Sequence, residues 1–229
     1  MAEKSLSVRE IVGEFTALGG AHAAFLAGVT ALIAVGYVLL DLVAASGSAV
    51  AGIVVGVFVQ YIVLERLLAD SMAATGKAPK RRYGAMFLSS IVGGLGILLG
   101  LALLIVPGLF LMAGWSASSA FIVAEEKGGV EALGESWRAT ERSRWALTLV
   151  VAIGFIAFVA LIAAVIAASG FLAVAGASGA AIGADGSTLV ELIPANIAAS
   201  AMSVASWLLG AAVYRLVRPM GQQLDEVFA

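Results

Sequence analysis

Long apolar stretches separated by short polar segments dominate the pattern of this chain. A helix needs about 20 mainly apolar residues to cross the hydrocarbon core of a bilayer, which is about 30 Å thick. Six stretches come close enough to this length to be predicted as membrane-spanning helices. They cover residues 23–44, 49–64, 86–106, 108–124, 146–168 and 195–213.

The third and fourth stretches are separated only by Pro107 and Gly108. Proline cannot continue the hydrogen-bond ladder of a helix, and it biases the preceding residue, Val106, away from helical geometry. A single helix over 86–124 would be about 58 Å long at about 1.5 Å per residue, far longer than one crossing. The sequence therefore predicts a tight hairpin between two spans at this point.

The composition agrees with a membrane protein and excludes several other classes. The chain has 229 residues, of which 62% are hydrophobic and 12% charged, whereas soluble domains are roughly 45–50% apolar and about 25% charged. The absence of cysteine and the single histidine leave no disulfide framework, thiol nucleophile or His-rich metal cluster. A net charge of -2 argues against nucleic-acid binding. We therefore expect no metal, no cofactor and no nucleic-acid partner.

The distribution of basic residues predicts the orientation. If six spans are threaded with the N-terminus inside, all 13 Lys and Arg residues fall in inner segments. The outer connections at 45–48, at Pro107 and at 169–194 contain none. This is the positive-inside asymmetry of membrane proteins. We predict six crossings with both termini in the cytoplasm.

Two amphipathic helices are predicted outside the spans. The first covers 5–19, where Ser7 and Glu10 have the spacing of a capping box, and is expected to lie at the inner interface. The second covers 129–142 and forms a cytoplasmic elbow between the fourth and fifth spans. Its predicted apolar face consists of Val130, Leu133 and Trp137.

The stretch from 100 to 154 resembles the membrane-domain family named after glycerophosphoryl diester phosphodiesterases, and related six-span bacterial inner-membrane proteins. The residues that carry the resemblance are Val106-Pro107-Gly108, Glu125-Glu126-Lys127-Gly128, Glu131-Ala132-Leu133, Ser136-Trp137, Thr140 and Trp145. The resemblance implies a six-helix bundle in the bacterial inner membrane. In the larger members of the family this module precedes a soluble phosphodiesterase barrel, which we expect this chain to lack, so no active site is transferred.

The strongest electrostatic feature is a basic cluster between the second and third spans, formed by Lys77, Lys80, Arg81 and Arg82. A basic residue beside anionic lipid gains about 1 kcal/mol. Orientation during insertion is a sufficient explanation of the cluster, and specific anionic-lipid binding is the alternative. Together with Trp137 and Trp145, which are predicted interfacial anchors, this cluster is the candidate surface for lipid or partner contact.

A polar path through the bundle is a second candidate, and it involves Asp41, Gln60 and Tyr61. A carboxylate inside an apolar segment is a functional candidate by default. Asp41 lies near the outer end of the first span, however, where solvation or hydrogen bonding also explains it. Hydrogen bonds between spans stabilise membrane bundles, so packing is the favoured explanation of Gln60 and Tyr61.

The sequence therefore predicts one all-α membrane domain over 1–229, with a non-enzymatic role. We expect it to interact with membrane lipids, with another membrane protein or with a second copy of itself through its cytoplasmic face. The alternative is a small oligomeric transporter or channel that uses the polar path. No set of residues with catalytic spacing is apparent.

Overall fold

Helices form nearly all of the chain that the structure describes. The computed structural model describes residues 5–43, 48–74, 80–174 and 189–218, and no strand occurs within these ranges. The helices in these ranges are α1 (Val8–Ala21), α2 (Ala23–Val43), α3 (Ser48–Leu67), α4 (Ala69–Ala74), α5 (Tyr83–Leu103), α6 (Ile105–Trp115), α7 (Ser118–Glu125), α8 (Gly129–Ala139), α9 (Arg144–Val174) and α10 (Leu189–Val217). One 3₁₀ turn, Glu141–Ser143, precedes α9.

Five segments of the described chain are long and apolar enough to cross a membrane. They are Ala23–Leu42, Tyr83–Leu103, Ile105–Glu125, Glu141–Phe171 and Glu191–Val217. This confirms the prediction of an all-helical chain with several helices of membrane-crossing length. The helix at the predicted second span, α3, is not among the five, so the count of six stays a prediction.

The hairpin between the predicted third and fourth spans turns at Leu104 rather than at Pro107. Leu104 has extended backbone angles (φ -160°, ψ 141°), and it ends α5 and begins α6. Pro107 lies in the first turn of α6, where a helix has no intrahelical partner for its N–H groups. The proline is therefore accommodated at the start of the second helix and does not itself form the turn.

Glycines allow α5 and α6 to pack closely on either side of this turn. A Cβ atom added at Gly100 would lie 2.9 Å from the Cα atom of Gly108. Further from the turn, a Cβ atom at Gly96 would lie 2.6 Å from the ring of Trp115. Because residues farther back on α5 meet residues farther along α6, the two helices are antiparallel.

The predicted fourth span, 108–124, is interrupted by a short break. Helix α6 ends at Trp115 and α7 begins at Ser118. At the break the Ser116 N–H donates to the Ala113 carbonyl oxygen at 3.4 Å, a tighter turn than that of an α-helix. This break leaves backbone groups that a neighbouring element must satisfy.

The N-terminal helix begins at Val8 rather than at residue 5. Ser7 is its N-cap, and the predicted capping box is formed: Ser7 Oγ accepts from the Glu10 N–H at 3.3 Å, and the Ser7 N–H donates to Glu10 Oε2 at 2.8 Å. Ile11 and Leu18 are buried on one side of α1, whereas Val12 is exposed. The buried side of α1 is therefore limited to these two residues.

The chain forms two compact units. The first comprises Met1–His22, Val57–Ile153 and Ser206–Ala229, and the second comprises Ala23–Gly56 and Gly154–Ala205. Among the described residues, every Lys and Arg belongs to the first unit. The charged residues described in the second unit are Asp41 and Glu191.

Candidate functional site

The elbow helix α8 packs through small residues at its start. Its buried positions are Gly129, Ala132, Leu133 and Ser136, which share one face at helical spacing. A Cβ atom added at Gly129 would lie 2.5 Å from the carbonyl oxygen of Ala85, so the backbones of α8 and α5 approach closely there. Val130, on the predicted apolar face, is 59% exposed. The contact of α8 with α5 is set by backbone approach at Gly129, which favours glycine over a larger residue.

Ser136 joins α8 to the break between α6 and α7. Its hydroxyl donates to the Gly114 carbonyl oxygen at 2.8 Å and accepts from the Ala117 N–H at 3.2 Å, and its side chain is fully buried. Two backbone groups at the break are thereby satisfied. Thr140, also fully buried, donates from Oγ1 to the Ser136 carbonyl oxygen at 2.8 Å and ends α8. The predicted helix over 129–142 therefore ends at Ala139, and the 3₁₀ turn follows.

The two tryptophans of the predicted surface have different environments. The ring of Trp137 packs against Gly114, where an added Cβ atom would lie 2.5 Å from it. Its centroid is 5.9 Å from that of Phe110, edge to face. Trp145, by contrast, is 74% exposed. Trp137 is thus a packing residue of the first unit, and Trp145 is the tryptophan of the pair that faces outward.

The basic cluster is largely tied to neighbouring helices. Lys77 lies outside the described residues. Arg81 forks onto Glu65 with two hydrogen bonds of 3.0 Å, and this carboxylate raises the pKa of the Arg81 guanidinium. Arg82 donates from its side chain to the carbonyl oxygen of Glu126 and from its backbone N–H to Tyr61 Oη at 3.2 Å. Arg81 and Arg82, which were predicted to contact lipid, therefore connect neighbouring segments of the first unit.

Glu126 is placed in a left-handed conformation (φ 55°) between α7 and α8. This region is uncommon for residues other than glycine. Glu126 Oε1 accepts a hydrogen bond of 3.1 Å from the Lys80 N–H, while its carbonyl oxygen accepts from Arg82. The basic cluster thus fixes the sharp turn that sends the chain from α7 into the elbow.

A second set of polar contacts closes the first unit at the C-terminal end of α10. Glu125 Oε1 accepts from Tyr214 Oη at 3.3 Å and from Arg218 Nε at 3.2 Å. Arg215 forms an ion pair with Glu14 of α1 at 2.9 Å. These residues were not selected from the sequence, because pairs about 90 to 200 positions apart leave no local spacing signal.

The residues of the predicted polar path make pairwise hydrogen bonds. In the first unit, Gln60 Nε2 donates to Ser119 Oγ at 2.8 Å, and Tyr61 is buried beneath Arg82. In the second unit, Asp41 Oδ2 accepts a hydrogen bond of 2.9 Å from Asn196 Nδ2. Each contact satisfies groups that would be costly to leave unpaired between helices.

Within the described ranges, no three His, Cys, Asp or Glu side chains are grouped so that they could hold a metal ion. The pKa of Glu131 is lowered by the hydrogen bond from the Gly128 N–H, with a further contribution from Lys127. The shift thus has a structural cause at the N-cap of α8.

No family model matches the chain, and neither a curated protein nor a solved structure is significantly similar to it.

Proposed function

We propose that the chain is a non-enzymatic integral module of the bacterial inner membrane that binds lipids or partner proteins through a cytoplasmic surface. The observation that carries this proposal is the partition of charge. All described basic residues belong to the first unit, whereas the described charges of the second unit are two carboxylates. A cytoplasmic excess of Lys and Arg is the rule for membrane proteins.

The proposed topology has six spans with both termini in the cytoplasm. Helix α3 supplies the span that completes the five apolar segments, since its 20 residues carry charge only near its C-terminal end, at Glu65 and Arg66. A helix of this length rises about 30 Å, the thickness of the hydrocarbon core. An even number of crossings keeps Arg9 of α1 and Arg215 of α10 on the same side, which agrees with the ion pair of Arg215 with Glu14.

The proposed contact surface is the outward face of the elbow helix. Its inward face is occupied by Gly129, Ser136 and their neighbours, so the exposed Val130 and Arg138 are what a partner or a headgroup meets. The hydrogen bonds of Arg81 to Glu65 and of Arg82 to Glu126 hold the segment that leads into this helix. A rigidly held helix presents such a face at lower entropic cost than a loop does.

The resemblance to the phosphodiesterase membrane-domain family belongs to this proposal. It agrees with the elbow between α7 and α9 and with the hairpin before it. Transport by the polar path is the weaker hypothesis, because Gln60 and Asp41 are each engaged by a neighbouring side chain, Ser119 and Asn196. Such hydrogen bonds are typical of helix packing in membranes.

The test is copurification from the native membrane in a mild detergent, with proteins and lipids identified by mass spectrometry. The double variant Val130→Glu, Arg138→Glu is expected to lose a defined protein or phospholipid. The control is Thr16→Glu, an exposed residue of α1, which is expected to retain it. An unchanged set of associated molecules in the double variant would refute the proposed surface.

A further inference from the structure

We infer that Arg144 binds the phosphate of an anionic lipid headgroup at the start of α9. The inference rests on the proposed function for one point, the cytoplasmic side of this residue. It adds a specific ligand chemistry and a specific cation that the sequence did not single out.

Arg144 lies where a headgroup is expected. It is the first residue of α9, within the apolar segment Glu141–Phe171. The next residue, Trp145, is exposed, and tryptophan is enriched at the depth of the lipid headgroups. A charged group at this depth meets phosphates of the adjacent leaflet.

The guanidinium of Arg144 is held in one orientation by aromatic rings. Its central carbon lies 3.7 Å from the ring centroid of Trp137 and 5.2 Å from that of Phe110. Nη2 donates to the Trp137 carbonyl oxygen at 2.6 Å. A guanidinium fixed in this way is preorganised, so that little side-chain entropy is lost when it binds an anion.

Arg144 forms no ion pair with a carboxylate in the described part of the chain, although Glu141 interacts with it electrostatically. Arg215 and Arg218 of the same unit pair with Glu14 and Glu125, whereas none of the described carboxylates forms an ion pair with Arg144. Nε is buried without a hydrogen-bond partner there, whereas the residue as a whole is only partly buried. A half-buried cation in this state is stabilised by an anion from outside, and arginine matches phosphate oxygens closely.

The apolar surface beside Arg144 favours a lipid over a soluble phosphate. Trp145, Leu149 and Ile153 are all exposed, and they are spaced four residues apart, so they form one stripe along α9. Only 6% of the apolar stretch within Glu141–Phe171 is buried by the protein. An acyl chain attached to the bound phosphate can lie along this stripe.

The experiment measures binding of phosphatidylglycerol and phosphatidylcholine to the whole purified chain by native mass spectrometry. Arg144→Gln is expected to weaken phosphatidylglycerol binding about fivefold and to leave phosphatidylcholine binding unchanged. The control is Arg215→Gln, which removes the same charge from a cation already neutralised by Glu14. It is expected to leave both affinities unchanged. Arg144→Lys, which keeps the charge but loses the planar fork, is expected to lose less than Arg144→Gln and serves if that variant does not fold.

Four results would overturn the inference. They are equal affinities for the two lipids in the unmodified protein, an unchanged phosphatidylglycerol affinity in Arg144→Gln, an equal loss in Arg215→Gln, and full affinity in Arg144→Lys together with failure of Arg144→Gln to fold. Displacement of the lipid by inorganic phosphate at equal concentration would assign the site to a soluble anion and would also overturn it.

The inference and the proposed function fail separately. If the Val130→Glu, Arg138→Glu variant loses its associated molecules while the Arg144 variants bind phosphatidylglycerol normally, only the inference fails. If the Arg144 variants lose the lipid while the outward face of α8 tolerates charge reversal, the headgroup site stands and the proposed contact surface fails.

Discussion

Replacement of Gly129 by alanine tests how the elbow helix is held. A Cβ atom there would lie 2.5 Å from the Ala85 carbonyl oxygen and 3.0 Å from the Ser89 backbone nitrogen. Both are backbone atoms of α5, so no side chain can rotate away to relieve the contact. Overpacking of this kind costs about 1–3 kcal/mol, and we expect about 2 kcal/mol for Gly129→Ala.

The assay is thermal unfolding of the purified protein in mild detergent, followed by tryptophan fluorescence, to which Trp137 of α8 contributes. For a chain of this length each 1 kcal/mol shifts the melting temperature by about 2–4 °C, so Gly129→Ala should lower it by about 6 °C. The variant Gly134→Ala supplies the matched control on the same helix, because a Cβ atom there meets nothing within 4 Å. Alanine is favoured over glycine inside a helix by about 0.5–1 kcal/mol, so this control should melt at the same temperature or about 2 °C higher. Equal shifts in the two variants would refute the close docking of α8 on α5.

Three further predictions concern the caps and ion pairs of the first unit. Ser7→Ala should cost about 1 kcal/mol and speed hydrogen exchange in the first turn of α1, whereas Thr16→Ala, which removes a hydroxyl from the middle of α1, should leave that turn protected. Because the folded pKa of Glu131 is lowered from its ordinary value of 4.5, its stabilising effect is complete above that value and is lost as the pH falls through the folded pKa. Glu131→Gln should therefore flatten the dependence of melting temperature on pH at pH values below 4.5. Exchange of the charges of Glu14 and Arg215 should restore the roughly 1 kcal/mol that either single reversal removes.

Each of these predictions has a contradicting result. Unchanged exchange in the first turn of Ser7→Ala would show that the capping box contributes nothing to α1. If the melting temperature of Glu131→Gln depends on pH as that of the unmodified protein does, Glu131 at the N-cap of α8 does not contribute to the loss of stability in acid. A double reversal of Glu14 and Arg215 that is as unstable as the sum of the single reversals would show that the pair is not coupled.

The sequence predicted an all-helical chain with several long apolar helices, because the signals for such helices are local. An apolar run of about 20 residues by itself indicates a membrane-spanning helix. The capping box can be recognised from four consecutive positions, Ser7 to Glu10. Proline placed the hairpin correctly to within one turn, but its tolerance in the first turn of a helix moved the break to Leu104.

The packing could not be predicted, because it depends on residues far apart in the chain. Nothing near Asp41 in the sequence indicates Asn196 as its partner, and nothing near Ser136 indicates the carbonyl oxygen of Gly114. The face of α8 was predicted from the helical spacing of its apolar residues, whereas the contact with α5 is made by close backbone approach at Gly129, and Val130 is exposed.

The most direct test of the proposed topology is cysteine labelling in intact cells. The chain has no native cysteine, so Lys80→Cys and Ser178→Cys each introduce one thiol. A membrane-impermeant maleimide should label Ser178→Cys in intact cells and should label Lys80→Cys only after the membrane is permeabilised. Labelling of Lys80→Cys in intact cells would contradict the cytoplasmic location of the basic residues and, with it, the proposed membrane module.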